Sequence, residues 1–140
     1  MQERGGVTTY DQFLGEVQHH AQLANQGEAQ QATRAVLTAL GERITSGETS
    51  DLAAQLPEGL RAPLLSGERS ENYTVDRFVE RVAELEGVDP DRAAFHCRAV
   101  FQVLRGAVSA GEIDQLLAQL PERFDRLITS GTEGDLRLDS

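Results

Sequence analysis

Apolar side chains recur along this chain three and four residues apart, the spacing of one face of an α-helix. Phe13, Leu14, Val17 and Ala21 make the first such face. Thr9 ahead of it, with Gln12 three residues on, predicts an N-cap and a capping box. Ala32, Val36, Leu40 and Ile44 make a second stripe, over about 28–45, which Ala29, Ala35, Leu37 and Ala39 widen. A stripe that broad predicts a central helix covered on several sides. Gly47 breaks it, and a short helix near 48–55 follows, burying Leu52 and Leu56. Pro57 then opens a fourth helix at the first-turn position proline favours, with Leu60, Leu64 and Leu65 on it.

The same series follows a second time. Phe78, Val79, Val82 and Leu85 form a first stripe, and Asp89-Pro90 reads as a cap followed by a first-turn proline. Ala93, Cys97, Val100, Leu104 and Val108 form a long central stripe. Ile113, Leu116, Leu117 and Leu120, then Phe124, Leu127 and Ile128, complete the set. The recurrence is also literal. Residues 34–67 match residues 98–131 at a shift of 64, with 14 of 34 positions identical, among them Gly47-Glu48/Gly111-Glu112 and Gln55-Leu56-Pro57-Glu58/Gln119-Leu120-Pro121-Glu122. Upstream the shift is 65, pairing Thr9, Asp11, Phe13 and Val17 with Thr74, Asp76, Phe78 and Val82. The one-residue difference falls in the loop near Asn25 and Asp89.

No stretch alternates apolar and polar in the manner of a strand. The expected fold is all-α: two tandem four-helix repeats, 9–67 and 73–131, packed as one pseudo-two-fold bundle with the helices around Val36 and Val100 at its centre. A unit of about sixty residues buries too little surface to stand firmly alone, so two units sharing one core is the expected solution. The segment 1–8 reads as an N-terminal arm, 68–72 as a linker, and 132–140 as a flexible acidic tail.

Several of these motifs recur in order and in duplicate. Tyr10-Asp11, Phe13-Leu14 and Val17, then Arg34-Ala35-Val36-Leu37 with Leu40, Ser46-Gly47-Glu48 and Gln55-Leu56-Pro57 resemble one half of an uncharacterised family, domain of unknown function 2267. Phe78-Val79, Val82, Arg98-Ala99-Val100, Gly111-Glu112 and Gln119-Leu120-Pro121 fit the second half. The resemblance covers roughly Tyr10 to Gly131. It implies an all-helical prokaryotic cytosolic protein and implies no activity, so it brings no catalytic residues.

Composition narrows the chemistry. There are 23 acidic residues against 13 basic ones, a net charge of −10, and every basic residue is arginine. So acidic a surface repels nucleic acid and anionic lipid. The absence of lysine removes Schiff-base chemistry and a P-loop lysine together. No apolar run reaches the length of a membrane span, and Met1 to Gly6 shows no signal-peptide pattern. One cysteine, Cys97, suits a reducing compartment, and a cytoplasmic location is expected.

Candidate chemistry is sparse. His19 and His20 are adjacent, about 100° apart around a helix, and so cannot both face one metal. His96 and Cys97 sit mid-helix where the first half has Ala32 and Thr33, and they lack two further ligands at metal spacing. Cys97 is expected to be a buried structural thiol. Tyr10 reads as a packing and hydrogen-bonding residue, and Gln55 and Gln119 as caps of neighbouring backbone groups. Kept in both halves are Arg34 with Glu48 and Arg98 with Glu112, expected to tie helices together. The same four residues are the candidate ligand or partner site. No metal, cofactor, nucleic acid or membrane partner is expected, and no catalytic site. The leading expectation is a non-catalytic helical module that binds a protein partner, itself included. The alternative is a small-ligand-binding protein with an apolar pocket between the repeats.

Overall fold

A computed structural model describes residues 9–66 and 73–131. The arm 1–8, linker 68–72 and tail 132–140 read from the sequence lie outside the described residues. Among the described residues the chain is all-helical: α1 (Tyr10–His20), α2 (Gln26–Arg43), α3 (Ser46–Ala54), α4 (Arg61–Ser66), α5 (Val75–Glu86), α6 (Pro90–Ala107), α7 (Ala110–Ala118) and α8 (Phe124–Thr129), with no strand.

Side chains set the helix starts. Thr9 accepts the Gln12 N–H while Gln12 returns a bond to the Thr9 N–H, the reciprocal capping box expected at α1. Asn25, Thr45, Thr74, Asp89 and Ser109 each accept from the third residue of the helix they start. Such a cap stabilises a helix by about 1 kcal/mol. Pro90 occupies the first turn of α6, as read. Pro57 differs. It does not open an α-helix but precedes a 3₁₀ turn, Glu58–Leu60, closed by the Leu60 N–H on the Pro57 carbonyl, and α4 begins only at Arg61.

The two 18-residue helices, α2 and α6, pack against each other at the middle, where Val36 and Val100 are inaccessible to solvent. The stripe Ala93, Cys97, Val100, Leu104 and Val108 is buried throughout. Around this centre α1 lies on α2 and α6, α5 lies on α6 and α2, α4 lies on α2, and α8 lies on α6. The approach of α4 to α2 is close enough that a Cβ at Gly41 would stand 3.1 Å from the Leu64 carbonyl carbon. Phe78 stacks on Phe101 at 6.1 Å and meets Phe124 edge-on at 5.5 Å, filling the second half. Tyr10 packs over Gly59 and its hydroxyl accepts from Gln30 at 2.6 Å.

One stripe is out of phase with its reading. Leu85, placed on the buried face of α5, is exposed, and Glu86 is buried instead. Val75, Phe78, Val79, Val82, Ala83 and Glu86 are the residues that face inward, so the helix ends by turning a carboxylate into the protein.

Candidate functional site

Two polar constellations stand out from the apolar core. The first lies where α3 and α7 meet. Their caps, Thr45 and Ser109, occupy matched positions in the two halves, and so do Gln55 and Gln119 just beyond their C-terminal ends. The glutamines reach across. Ser109 N–H donates to Gln55 Oε1 at 2.7 Å, and Thr45 N–H donates to Gln119 Oε1 at 3.0 Å. Gln55 Nε2 also donates to Ser109 Oγ at 3.3 Å and Glu112 Oε1 at 3.4 Å. The capping role read for these glutamines is real, and each caps the helix of the other half.

Between these bonds sit Glu48 and Glu112, both buried, with oxygens of theirs and of exposed Asp51 within 4.8 Å of one another. Oε2 of Glu48 and Oε2 of Glu112 are buried without a hydrogen-bond donor. Burial first, then the facing Glu112 and nearby Asp51, push the Glu48 carboxyl up to about 8. A pair of this kind is comfortable holding one proton between two carboxyls.

The sequence pairs each of these acids with an arginine of its own half, and the structure forms neither tie. Arg34 is exposed on α2 and lines a shallow cleft of about 410 Å³ with Gln30, Gln31 and Leu85. Among the described residues no ion pair joins Arg34 to Glu48 or Arg98 to Glu112. Arg98 is buried with the core face of α6. The four candidate residues therefore divide: Glu48 and Glu112 come together, and Arg34 and Arg98 do not join them. A carboxylate that does hold an arginine is Glu42, unmarked in the sequence. Arg81 grips it with two bonds of 3.0 and 2.9 Å, and Tyr73 O–H donates to it at 2.8 Å. The Arg81 bonds, with help from Tyr73, hold the Glu42 carboxyl below its ordinary value against the opposing effect of burial.

The second constellation is a cleft of about 710 Å³ between the end of α1 and the start of α6. His96 lines it, with Nδ1 2.6 Å from Glu86 Oε2; both residues are buried, and Glu86 Oε1 has no donor. Gln22 lines it from the other side, with φ at 57°, the left-handed region that favours glycine. Gln22→Gly is expected to stabilise the protein by about 0.5–1 kcal/mol, read from urea unfolding. A loss of stability would show that the Gln22 side chain holds the loop. Behind His96, Cys97 is fully buried, and burial with the Glu86 charge pushes its thiol pKa up, which fits the structural role read for it. His19 is exposed and His20 partly so, with their rings edge-to-face at 5.3 Å. The Glu86–His96 pair escapes sequence reading because its members sit ten residues apart across a loop, and its one trace is the acid at the buried phase of α5.

No helix of the described residues is long and apolar enough to cross a membrane. The family model of an uncharacterized conserved protein, DUF2267, matches residues 10–127. No curated protein matches the chain.

Proposed function

The chain belongs to the DUF2267 family, and from that premise we propose that it is a non-catalytic helical protein-interaction module made of two tandem four-helix repeats related by a pseudo-two-fold axis. Several observations support the repeat. Helix lengths run 11, 18, 9 and 6 residues and then 12, 18, 9 and 6. Exchanging the halves turns the contact of α1 with α6 into that of α5 with α2, and leaves α2 with α6 and α3 with α7 unchanged.

The observation that carries the binding role is the α3–α7 seam. Ser46, Gly47, Ala110 and Gly111 expose its two helix starts to solvent, and beneath them Glu48 Oε2 and Glu112 Oε2 have as donor only the proton the two carboxyls can share. A partner protein that presents an arginine or lysine side chain supplies those donors and displaces the shared proton. Wide apolar contact is not the basis, because the exposed large hydrophobics among the described residues are Leu65 and Leu85. Immobilised wild-type chain is expected to retain a basic partner from native lysate that Glu48→Gln/Glu112→Gln does not, while Arg34→Ala behaves as wild type. Retention of the same proteins by the double variant sinks this reading.

The α1–α6 cleft favours a second reading, small-ligand binding between the repeats. Its polar lining is Gln22, Asp89, Asp91, Arg92 and His96, and neither Arg34 nor Arg98 is part of it.

A further inference from the structure

We propose that the cleft between the end of α1 and the start of α6 is a binding site for a small organic amine, received by Nε2 of His96. The proposal rests on the small-ligand reading and is independent of the α3–α7 seam.

The chain contains its own comparison. By the shift of 65, Glu86 corresponds to Ala21, and by the shift of 64, His96 corresponds to Ala32. Both alanines are buried. The first half therefore has two buried methyl groups at these positions. The other half places an acid and an imidazole there, at the cost of desolvating both and leaving Glu86 Oε1 without a donor. The second departure is Gln22, which corresponds to Gly87. Both take positive φ, 57° and 80°, but only the glycine does so without steric cost. Two exceptions to the chain's own template, each unfavourable to folding, line one cleft. Costs of this kind persist where a site requires the side chain.

The ligand class follows from protons and charge. With the Glu86 carboxylate accepting from Nδ1–H, the neutral ring keeps its lone pair at Nε2. His96 lines the cleft, and with Nδ1 held by Glu86 the ring nitrogen left for a ligand is Nε2. Asp89 and Asp91 stand at the mouth against a single cation, Arg92, and Glu86 lies beneath. An ammonium group meets an acceptor in a negative surround, whereas a carboxylate is repelled. Half-buried Leu23 and Phe95 offer apolar surface for the hydrocarbon body of the amine. The cleft's volume is within the range of small-molecule sites.

The test is NMR titration of ¹⁵N-labelled full chain, following the His96 imidazole and the amides of Gln22, Leu23 and Phe95. The probe is phenethylamine, and phenylacetate is the matched acid. Wild type is expected to show saturable shifts with the amine and none with the acid. The amine's affinity should fall roughly tenfold or more in His96→Ala, the loss of one charge-assisted hydrogen bond. Glu86→Ala/His96→Ala, which copies the alanines of the first half, is expected to melt no lower than wild type. A fall of several degrees in that variant shows the pair to be structural and overturns the proposal. So does an amine response that survives His96→Ala, or the absence of any response. Saturable binding of phenylacetate instead overturns the amine while keeping the cleft a ligand site.

Discussion

Gly41→Ala is expected to destabilise the protein by about 3 kcal/mol or more, enough to unfold much of a marginal domain. The usual effect has the opposite sign. In a helix interior alanine is better than glycine by about 0.5–1 kcal/mol, because it loses less backbone freedom. At Gly41 the new methyl would stand inside contact distance of the Leu64 carbonyl oxygen and 3.1 Å from its carbon. Both are backbone atoms, so no side chain can rotate away. Either α4 lifts off α2 or α2 bends, and both separate surfaces that bury Leu40, Leu60 and Leu64. Gly15 is the control. It is exposed within α1, with no heavy atom within 4 Å of a Cβ placed there. Gly15→Ala is expected to stabilise by about 0.5–1 kcal/mol. Urea unfolding of the two variants reads both signs. Equal effects would mean that α4 does not press on α2 as described.

The matched position in the second half is Arg105, so this close approach is a property of the α2–α4 pair and no repeated motif announces it. What the sequence reveals well is local. Caps precede stripes, and both follow from the 3.6-residue turn, so α1, α2, α5 and α6 are legible nearly to their ends. Pro57 misleads because a first-turn proline suits a 3₁₀ turn as well as an α-helix. Leu85 misleads for a different reason. Both Leu85 and Glu86 fit the helical spacing after Val82, and hydrophobicity alone chooses the leucine. The inward carboxylate is explained only by its imidazole partner on α6.

The candidate site shows the same limit at longer range. Arg34 with Glu48, and Arg98 with Glu112, are opposite charges on neighbouring helices of one half, so electrostatics alone pairs them within that half. Which half a side chain faces is decided by how α3 and α7 dock, a contact over sixty residues apart in sequence. The acids are legible as special because they are kept twice. Their facing each other is not.

Stability is expected to peak on the acid side of neutrality and to decline by about 2–4 kcal/mol as pH rises from 5 to 8. Two buried carboxyls set the shape. Glu42, held below its ordinary 4.5 by Arg81, contributes stability that is present above 4.5 and is lost as pH falls through its lower folded value. Glu48 acts in the other direction. Its folded value is raised from 4.5 to about 8, so between those values the folded chain holds a proton that the unfolded chain has released. The folded state then binds more protons than the unfolded state, and stability falls with rising pH throughout that window. Above about 8 the penalty is complete, with the ionised Glu48 carboxylate buried against Glu112. Glu48→Gln removes the titration and keeps a donor for Glu112, so its stability should be flat between pH 5 and 8 where wild type slopes downward. At pH 8 the variant should be the more stable protein, and at pH 5 the two should nearly coincide. Urea midpoints across this range decide it, because the titrating groups other than the facing Glu48 and Glu112 are common to both chains and cancel in the difference. Parallel profiles would mean that Glu48 releases its proton at an ordinary pH, and that the two acids are held too far apart or too well hydrated to share one.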